Sequence, residues 1–327
     1  MAETMIHSDV DKFEHFLTNH PFTGVPENLY APMNYIMNLG GKRMRPKLLL
    51  MAFEAITGHL NNDAFKLALA IETFHNFSLV HDDIMDNAPI RRGSPSVHEK
   101  WNTPTAILAG DNLMMKCYEL ILETNLENTS TILRYFTQMG QQVCEGQQMD
   151  MNLPNQKEVT EADYLEMIRL KTAVLPAVAL KIGALAANTP LHIAEEFYLF
   201  GLNFGMAFQL QDDYLDTFGT QADIGKQEGG DILENKKTIL YLHALQTLEN
   251  KQKIELQNWF NQEKYESKHK IESVRELFVK AKSNEYLTEL KHNYEQKALL
   301  HLDNACLNNN YKPIFLGLFE VFRNRKN

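Results

Sequence analysis

Apolar residues recur every three or four positions along almost the whole chain, as in KLLLMAFEAITG, AFKLALAIETFHNFSLV, AILAGDNLMMKCYELILETNL and EEFYLFGLNFGMAFQLQDDYLD. That spacing puts one face of an α-helix against a core. Alternating runs rich in β-branched residues are scarce, so the pattern predicts an all-α protein. Gly, Pro and Asn signals break it at ITGHLNND near 56–63, NAPIRRGSPS at 87–96, MNLPNQ at 151–156, AANTP at 186–190 and FGTQADIGKQEGGD at 218–231. Segments 173–187 and 199–210 are apolar nearly all round and predict inner helices, whereas 243–300, rich in Lys, Glu, Gln and Asn, predicts outer ones. With no linker and no solenoid-period repeat, the expectation is one domain over 1–327, a bundle of about ten or more helices.

Composition changes this picture little. At 327 residues, 44% hydrophobic and 23% charged, the chain falls in the globular range and is long enough for a large core. A net charge of −10 argues against a nucleic-acid partner, which needs a broad basic face. Basic residues cluster instead in GGKRMRP at 40–46, Arg91 and Arg92, Lys236 and Lys237, and the tail RNRK at 323–326. Each cluster suits a compact anion, although the tail reads more simply as a solvated charged patch. Cys117, Cys144 and Cys306 are odd in number and widely spaced, so they predict packing residues in a reducing compartment rather than disulfides or a zinc site. The N-terminus has no basic segment followed by an apolar one, and no apolar stretch approaches a membrane span. The expected location is cytoplasmic.

An Asp-Asp-x-x-Asp triplet occurs twice, in HDDIMD at 81–86 and QDDYLD at 211–216. On a helix the outer members, Asp82 with Asp86 and Asp212 with Asp216, face the same way. Crowded carboxylates repel one another and take up protons unless a divalent cation lies among them. Oxygen donors without nearby Cys suit Mg2+, which keeps several waters and is completed by substrate phosphates. One triplet alone is as readily a solvated helix end. Two, with their surroundings, read as a metal clamp.

The ordered motifs GGKRMRP at 40, HDDIMD at 81, RRG at 91, GD at 110, GQQMD at 146, KT at 171, FQLQDDYLD at 208, GK at 225 and GGDILENKKT at 229 complete the pattern. Together they make the chain resemble, over nearly its whole length, the trans-isoprenyl diphosphate synthases, the polyprenyl synthetase family of short-chain prenyltransferases. The resemblance implies helices around a deep central cavity and, usually, a homodimer. It implies a chain elongation in which an allylic diphosphate loses pyrophosphate, the double bond of isopentenyl diphosphate attacks the carbocation, and a proton leaves. It also implies Mg2+, about three ions per active site, each completed by phosphate oxygens and water.

The resemblance makes Asp82, Asp86 and Asp212 direct ligands, with Asp83, Asp213 and Asp216 as further ligands or holders of metal-bound water. Arg91, Lys171 and Lys226 would bind the allylic diphosphate, supported by Thr172, Gln209 and Lys236. Lys42, Arg45, His75 and Arg92 would form the isopentenyl diphosphate pocket, with Arg43 a neighbour and Gly40 and Gly41 allowing close backbone approach. Taken alone, Lys171 reads as a surface lysine and His75 as a core histidine. Gln147 and Asp150 fit either substrate and Lys171 positioning or a structural polar network. No side chain stands out as the final base, a role the resemblance gives to the departing pyrophosphate.

Product length would be set along the helix before Asp82. Phe77, about 7 to 8 Å from Asp82 along that helix, reads alone as a core aromatic, and the resemblance makes it the tunnel floor; Phe74, one turn deeper, reads equally as tunnel or core. Small Ser78 and the uninterrupted DDIMD look more like geranylgeranyl than bacterial farnesyl diphosphate synthases, which leaves farnesyl diphosphate as the alternative product. A class I terpene cyclase or a head-to-head synthase would not need the second cationic pocket. A non-catalytic synthase subunit would tend to lose acidic residues that are intact here.

Overall fold

The computed structural model describes residues 2–219, 228–262, 265–305 and 311–323. Lys226, Cys306 and the tail beyond Arg323 lie outside them. The chain is helical almost throughout, and its only sheet among the described residues is a two-stranded hairpin. In order run α1 (Ala2–Asn19), α2 (Glu27–Asn38), α3 (Met44–Thr57), α4 (Asn62–Met85), β1 (Ile90–Arg91), β2 (Ser94–Pro95), α5 (Val97–Lys100) and α6 (Thr103–Leu122). There follow α7 (Thr129–Asn152), α8 (Glu161–Ile168), a π-helical turn (Arg169–Ala173), α9 (Val174–Ala186) and α10 (Leu191–Phe218). The remainder is α11 (Gly230–Leu233), α12 (Ile239–Thr247), α13 (Asn250–Asn261), α14 (Ser267–Lys280), α15 (Ser283–Asn304) and α16 (Lys312–Arg323).

Helix limits follow the local chemistry. Asn61 caps α4 by accepting from the Ala64 N–H, Asn102 does the same for α6 from Thr105, and Thr160 forms a capping box with Asp163 on α8. Gly58, with φ of 77°, ends α3 in the left-handed conformation. The break expected at 87–96 is the hairpin, which pairs Ile90 with Pro95 and Arg91 with Ser94. Its two linking residues, Arg92 (φ 51°) and Gly93 (φ 74°), both take the positive φ of a tight hairpin turn.

The described residues form two compact units. The first draws on 1–137, 178–198 and 305–315, and its core holds Leu49, Ile71, Phe74, Leu113 and Phe136, each at most 1% exposed. Gly183 lets α9 lie on α3 there, since a Cβ would stand 2.2 Å from the Leu49 carbonyl oxygen. The second unit draws on 138–177, 199–304 and 316–327, with Leu210, Ile239, Val274, Leu277 and Phe278 in its core. Every residue from 173 to 186 is buried, Lys181 among them, in keeping with a segment apolar nearly all round. Cys117 is buried, but Cys144 lies exposed on α7, so packing accounts for the first and not the second. Among the described residues no helix is long and apolar enough to cross a membrane.

Candidate active site

In the first unit, α4 carries the first acidic triplet on its last turn. Asp82 is half-buried and Asp86 exposed, whereas Asp83, one residue round the helix, is fully buried. Asp83 Oδ1 accepts from Arg91 Nε at 2.9 Å and from a second nitrogen of the same guanidinium, while Asp83 Oδ2 is buried without a hydrogen-bond partner. The hairpin turn then sends the next arginine elsewhere: Arg92 donates to the Gly40 carbonyl and lies 3.4 Å from Asn76 Oδ1. Gly41, at φ of 133°, leaves room for it, because a Cβ there would stand 3.1 Å from the guanidinium carbon of Arg92.

The cationic cluster predicted from GGKRMRP is present, with one member turned inward. Arg45 reaches His75 Nε2 at 3.1 Å, and its Nε is buried with no hydrogen-bond partner. Burial, and then the charges of Arg45 and Arg92, hold His75 well below the usual histidine pKa, so the ring is neutral. Lys42 is exposed at the mouth of the same loop. Arg43 is turned into the protein, donating at 2.7 Å each to Glu14, Glu72 and the Met37 carbonyl. That takes it out of a ligand role, because each of its three guanidinium nitrogens is engaged with the fold and the side chain is 3% exposed. Glu72, 2% exposed, is the buried counter-charge beneath the cluster and also accepts from Asn76 at 3.2 Å. Sequence reasoning missed Glu72 and Asn76, whose only signal was polarity at i and i+4 inside an otherwise apolar helix.

Beside this cluster, Phe77 and His81 line an open cavity of about 880 Å³ with Leu108, Asn112 and Met115 of α6. Phe77 is half-buried, packed edge-on against Phe74 at 5.4 Å and against His81 at 4.9 Å. Phe74 is fully buried and makes a further edge contact with Phe136. Ser78 donates to the His75 carbonyl at 2.9 Å. The Gly of the GD motif, Gly110, admits the His81 ring, since a Cβ would lie 2.3 Å from its Nε2.

In the second unit, α10 repeats the arrangement. Asp212 and Asp216 are half-buried, and Asp213 is 2% exposed. A hydrogen-bond chain holds Asp213: Thr172 donates to Gln209 Oε1 at 3.0 Å, Gln209 donates to Asp213 Oδ1 at 3.0 Å, and the Tyr164 hydroxyl donates to Oδ2. Burial, reinforced by Asp231, pushes the Asp213 carboxyl up to about 8 and Asp216 up to about 6. Carboxylates so raised are short of positive charge. Lys171 sits on the π-helical turn between α8 and α9 and is ion-paired with Asp150. The turn is tightly seated, since a Cβ on Gly146 would meet the Lys171 nitrogen at 2.3 Å and one on Gly205 would meet Ala173 Cα at 2.7 Å. Gln147 is buried with both amide atoms unpartnered.

Lys171, Thr172, Gln209, Asp213 and Lys236 share the lining of one cavity of about 120 Å³ with Asp150 and Asp231. Lys236 pairs with Asp231 at 3.2 Å and Glu234 at 2.8 Å; burial opposes its charge, but these two acids outweigh it and hold its pKa above the usual lysine value. Tyr164 and Asp231 were missed as site residues, although Asp231 lies within the quoted GGDILENKKT. Among the described residues no three His, Cys, Asp or Glu side chains converge as a ready-made metal cage. A half-open set of carboxylates fits Mg2+ in the form that leaves coordination positions for waters and substrate phosphates.

A mainly helical chain with paired Asp-Asp-x-x-Asp turns, a neutral His among arginines and a lysine-lined polar cavity has the layout of a diphosphate-handling enzyme. The polyprenyl synthetase family profile matches residues 26–278, and the chain belongs to that family. It is 41% identical over 223 residues to a geranylgeranyl diphosphate synthase of Methanosarcina mazei, covering 68% of each chain. It is 39% identical over 237 residues to a geranylfarnesyl diphosphate synthase of Natronomonas pharaonis, covering 67% of this chain and 69% of that one. The crystal structure of a geranylgeranyl pyrophosphate synthase superposes with a TM-score of 0.93 at 38% identity, over 98% of this chain and 99% of the other.

Proposed function

We propose that this chain is a Mg2+-dependent short-chain trans-prenyltransferase, one polyprenyl synthetase domain that joins an allylic diphosphate to isopentenyl diphosphate with geranylgeranyl diphosphate as main product. The observation that carries the reading is the buried, unpartnered Arg45 Nε beside a neutral His75: a donor set built for an anion that the protein itself does not supply. A second substrate diphosphate satisfies it, and a terpene cyclase has no use for it. Arg45, Arg92, His75 and Lys42 hold isopentenyl diphosphate intact. Lys171, Lys236, Gln209, Thr172 and Arg91, with Lys226, hold the allylic diphosphate.

Mg2+ would be held by Asp82, Asp86, Asp212 and Asp216 and, when bound, neutralises charge developing on the leaving pyrophosphate. Asp83 and Asp213, buried and already bonded, keep Arg91 and Gln209 in place. As the allylic carbon–oxygen bond breaks, the side-chain charges of Arg91, Lys171 and Lys236 would bind the departing diphosphate more strongly in the transition state than in the ground state. The isopentenyl double bond then forms the new carbon–carbon bond, and the proton lost from the adjacent carbon passes to the departed pyrophosphate, the base that the family resemblance implies. The names borne by the relatives support the geranylgeranyl product, with farnesyl diphosphate the alternative. An exposed stripe on α6, Ile107, Leu108, Met115 and Leu122, supports a homodimer, which light scattering of the purified protein tests.

The deciding experiment supplies isopentenyl diphosphate with dimethylallyl, geranyl or farnesyl diphosphate, with and without Mg2+, and separates the products by chain length. Elongation only with metal and isopentenyl diphosphate is expected. A cyclised hydrocarbon from the allylic substrate alone would replace this reading with the cyclase.

A further inference from the structure

Lys270 on α14 is fully buried, yet it pairs with no carboxylate among the described residues. Its Nζ donates to Asn235 Oδ1 at 2.6 Å and sits 4.0 Å from the ring centre of Tyr265 and 5.8 Å from that of Phe260. Burying an ammonium group without an acid is expensive, and an apolar residue of the same length would serve packing as well or better. The amine therefore has a task that packing does not explain, and its one directional partner names it.

Asn235 takes the left-handed conformation, φ 57°, at the bend of the segment after α11. The bend closes through Lys236 N to the Asp231 carbonyl at 2.9 Å and Thr238 N to the Lys236 carbonyl at 2.9 Å. It delivers Lys236 to the polar cavity. It also delivers the Asp231 backbone N–H, which donates to Asp216 Oδ2 at 2.8 Å. Three further contacts grip the same region from the α14 side. The Tyr265 hydroxyl donates to the Leu233 carbonyl at 2.9 Å, and Ile271 packs so closely on Gly229 (φ 67°) that a Cβ would meet it at 2.8 Å. Arg275 donates through Nε to the carbonyl of Thr217, the residue after Asp216.

We infer that Lys270 is a positioning residue for the diphosphate site: through Asn235 it fixes the bend that aims Lys236 and holds Asp216, although it touches no substrate itself. The inference rests on the reading of Lys236 as a diphosphate ligand. Burial also lowers the Lys270 pKa, consistent with an amine kept for its hydrogen bond rather than for an ion pair.

The test is Lys270→Met, which keeps the apolar stem and removes the donor, with Asn235→Gly, the double variant and Asn235→Asp beside it. Lys270→Met should raise the KM for geranyl diphosphate about tenfold, the scale of one lost charged hydrogen bond. It should leave the KM for isopentenyl diphosphate within about twofold, since a remote, uncoupled site is spared, with a melting temperature equal to or above wild type. Asn235→Gly should reproduce the effect, the double variant should add nothing to it, and Asn235→Asp should retain near-wild-type kinetics. A lowered melting temperature with both KM values unchanged, or raised together, would make Lys270 merely structural and overturn the inference. Calorimetric binding of inorganic pyrophosphate with Mg2+ separates the two ideas. Weakened binding in Lys270→Met upholds the brace even if the wild type elongates nothing, and equal binding in both proteins sinks it whatever the turnover. A wild type that binds no pyrophosphate overturns both.

Discussion

His75 shows how a single side chain takes its state from its neighbours. Desolvation and the charges of Arg45, Arg92, Arg91 and Arg43 depress its folded pKa well below 6.5. As pH falls past that value the unfolded chain takes up the proton first, so this contribution to stability is complete above 6.5 and drains away below it. The loss is at most about 1.4 kcal/mol per pH unit for the one proton. His75→Gln should therefore flatten the fall in melting temperature between pH 7 and pH 5; parallel curves for the two proteins would contradict a neutral ring in the folded state. Arg45→Ala tests the neighbouring charge. Removing a charged hydrogen bond worth about 1.5–3 kcal/mol should weaken isopentenyl diphosphate far more than a non-reactive allylic analogue, and equal weakening of both would point to general damage. At this scale the sequence was informative about type and silent about direction. Arg43 and Arg45 are two positions apart in one motif, yet one is spent on Glu14, Glu72 and a carbonyl while the other keeps a free donor. The side chain that sorts them, Glu72, comes from a different helix, and no spacing within GGKRMRP records it.

Among the elements, helices and their breaks were readable because apolar periodicity and Gly, Pro and Asn signals are local. The break at 87–96 was visible, but its identity as a hairpin that sends Arg91 to Asp83 and Arg92 to Gly40 depends on two positive φ values. The π-helical turn under Lys171 was not legible, since the sequence RLKTA continues an ordinary helical pattern. What marks it is a close approach from α7 at Gly146, whose motif was noticed for its Gln and Asp instead. Gly146→Ala should push the turn off its seat. The expected result is a stability loss of about 1–3 kcal/mol from overpacking, seen in thermal melts, with a raised KM for the allylic substrate. An unchanged KM in a destabilised protein would show that Lys171 tolerates the shift.

At the scale of the whole molecule, class and fold were legible because motifs far apart in sequence occur in the order typical of one family, and their order is more informative than any one of them. Asp82→Ala and Asp212→Ala should each cut turnover by orders of magnitude at saturating Mg2+ with helicity retained, as neutralising a leaving pyrophosphate requires. Near-normal turnover of either would remove that triplet from the site. Product length is least legible, because it depends on how far a side chain projects into space that periodicity does not describe. Phe77→Ala should lengthen the product, and an unaltered product spectrum from a folded, active variant would discard Phe77 as the floor.

The edge-on pair of Phe74 and Phe77 divides two burdens between neighbours on one helix face. Phe74 has no exposed surface, so its loss would open a cavity costing about 3–5 kcal/mol, a large share of the roughly 5–15 kcal/mol by which native proteins are stable. Phe77 is half-buried against an open cavity, and trimming it leaves the core intact. Selection can therefore act on Phe77 alone. Were Phe77 the floor, as proposed, an ancestral enzyme could change the length of its product by one mutation without first acquiring a stabilising one, a short and passable route between products.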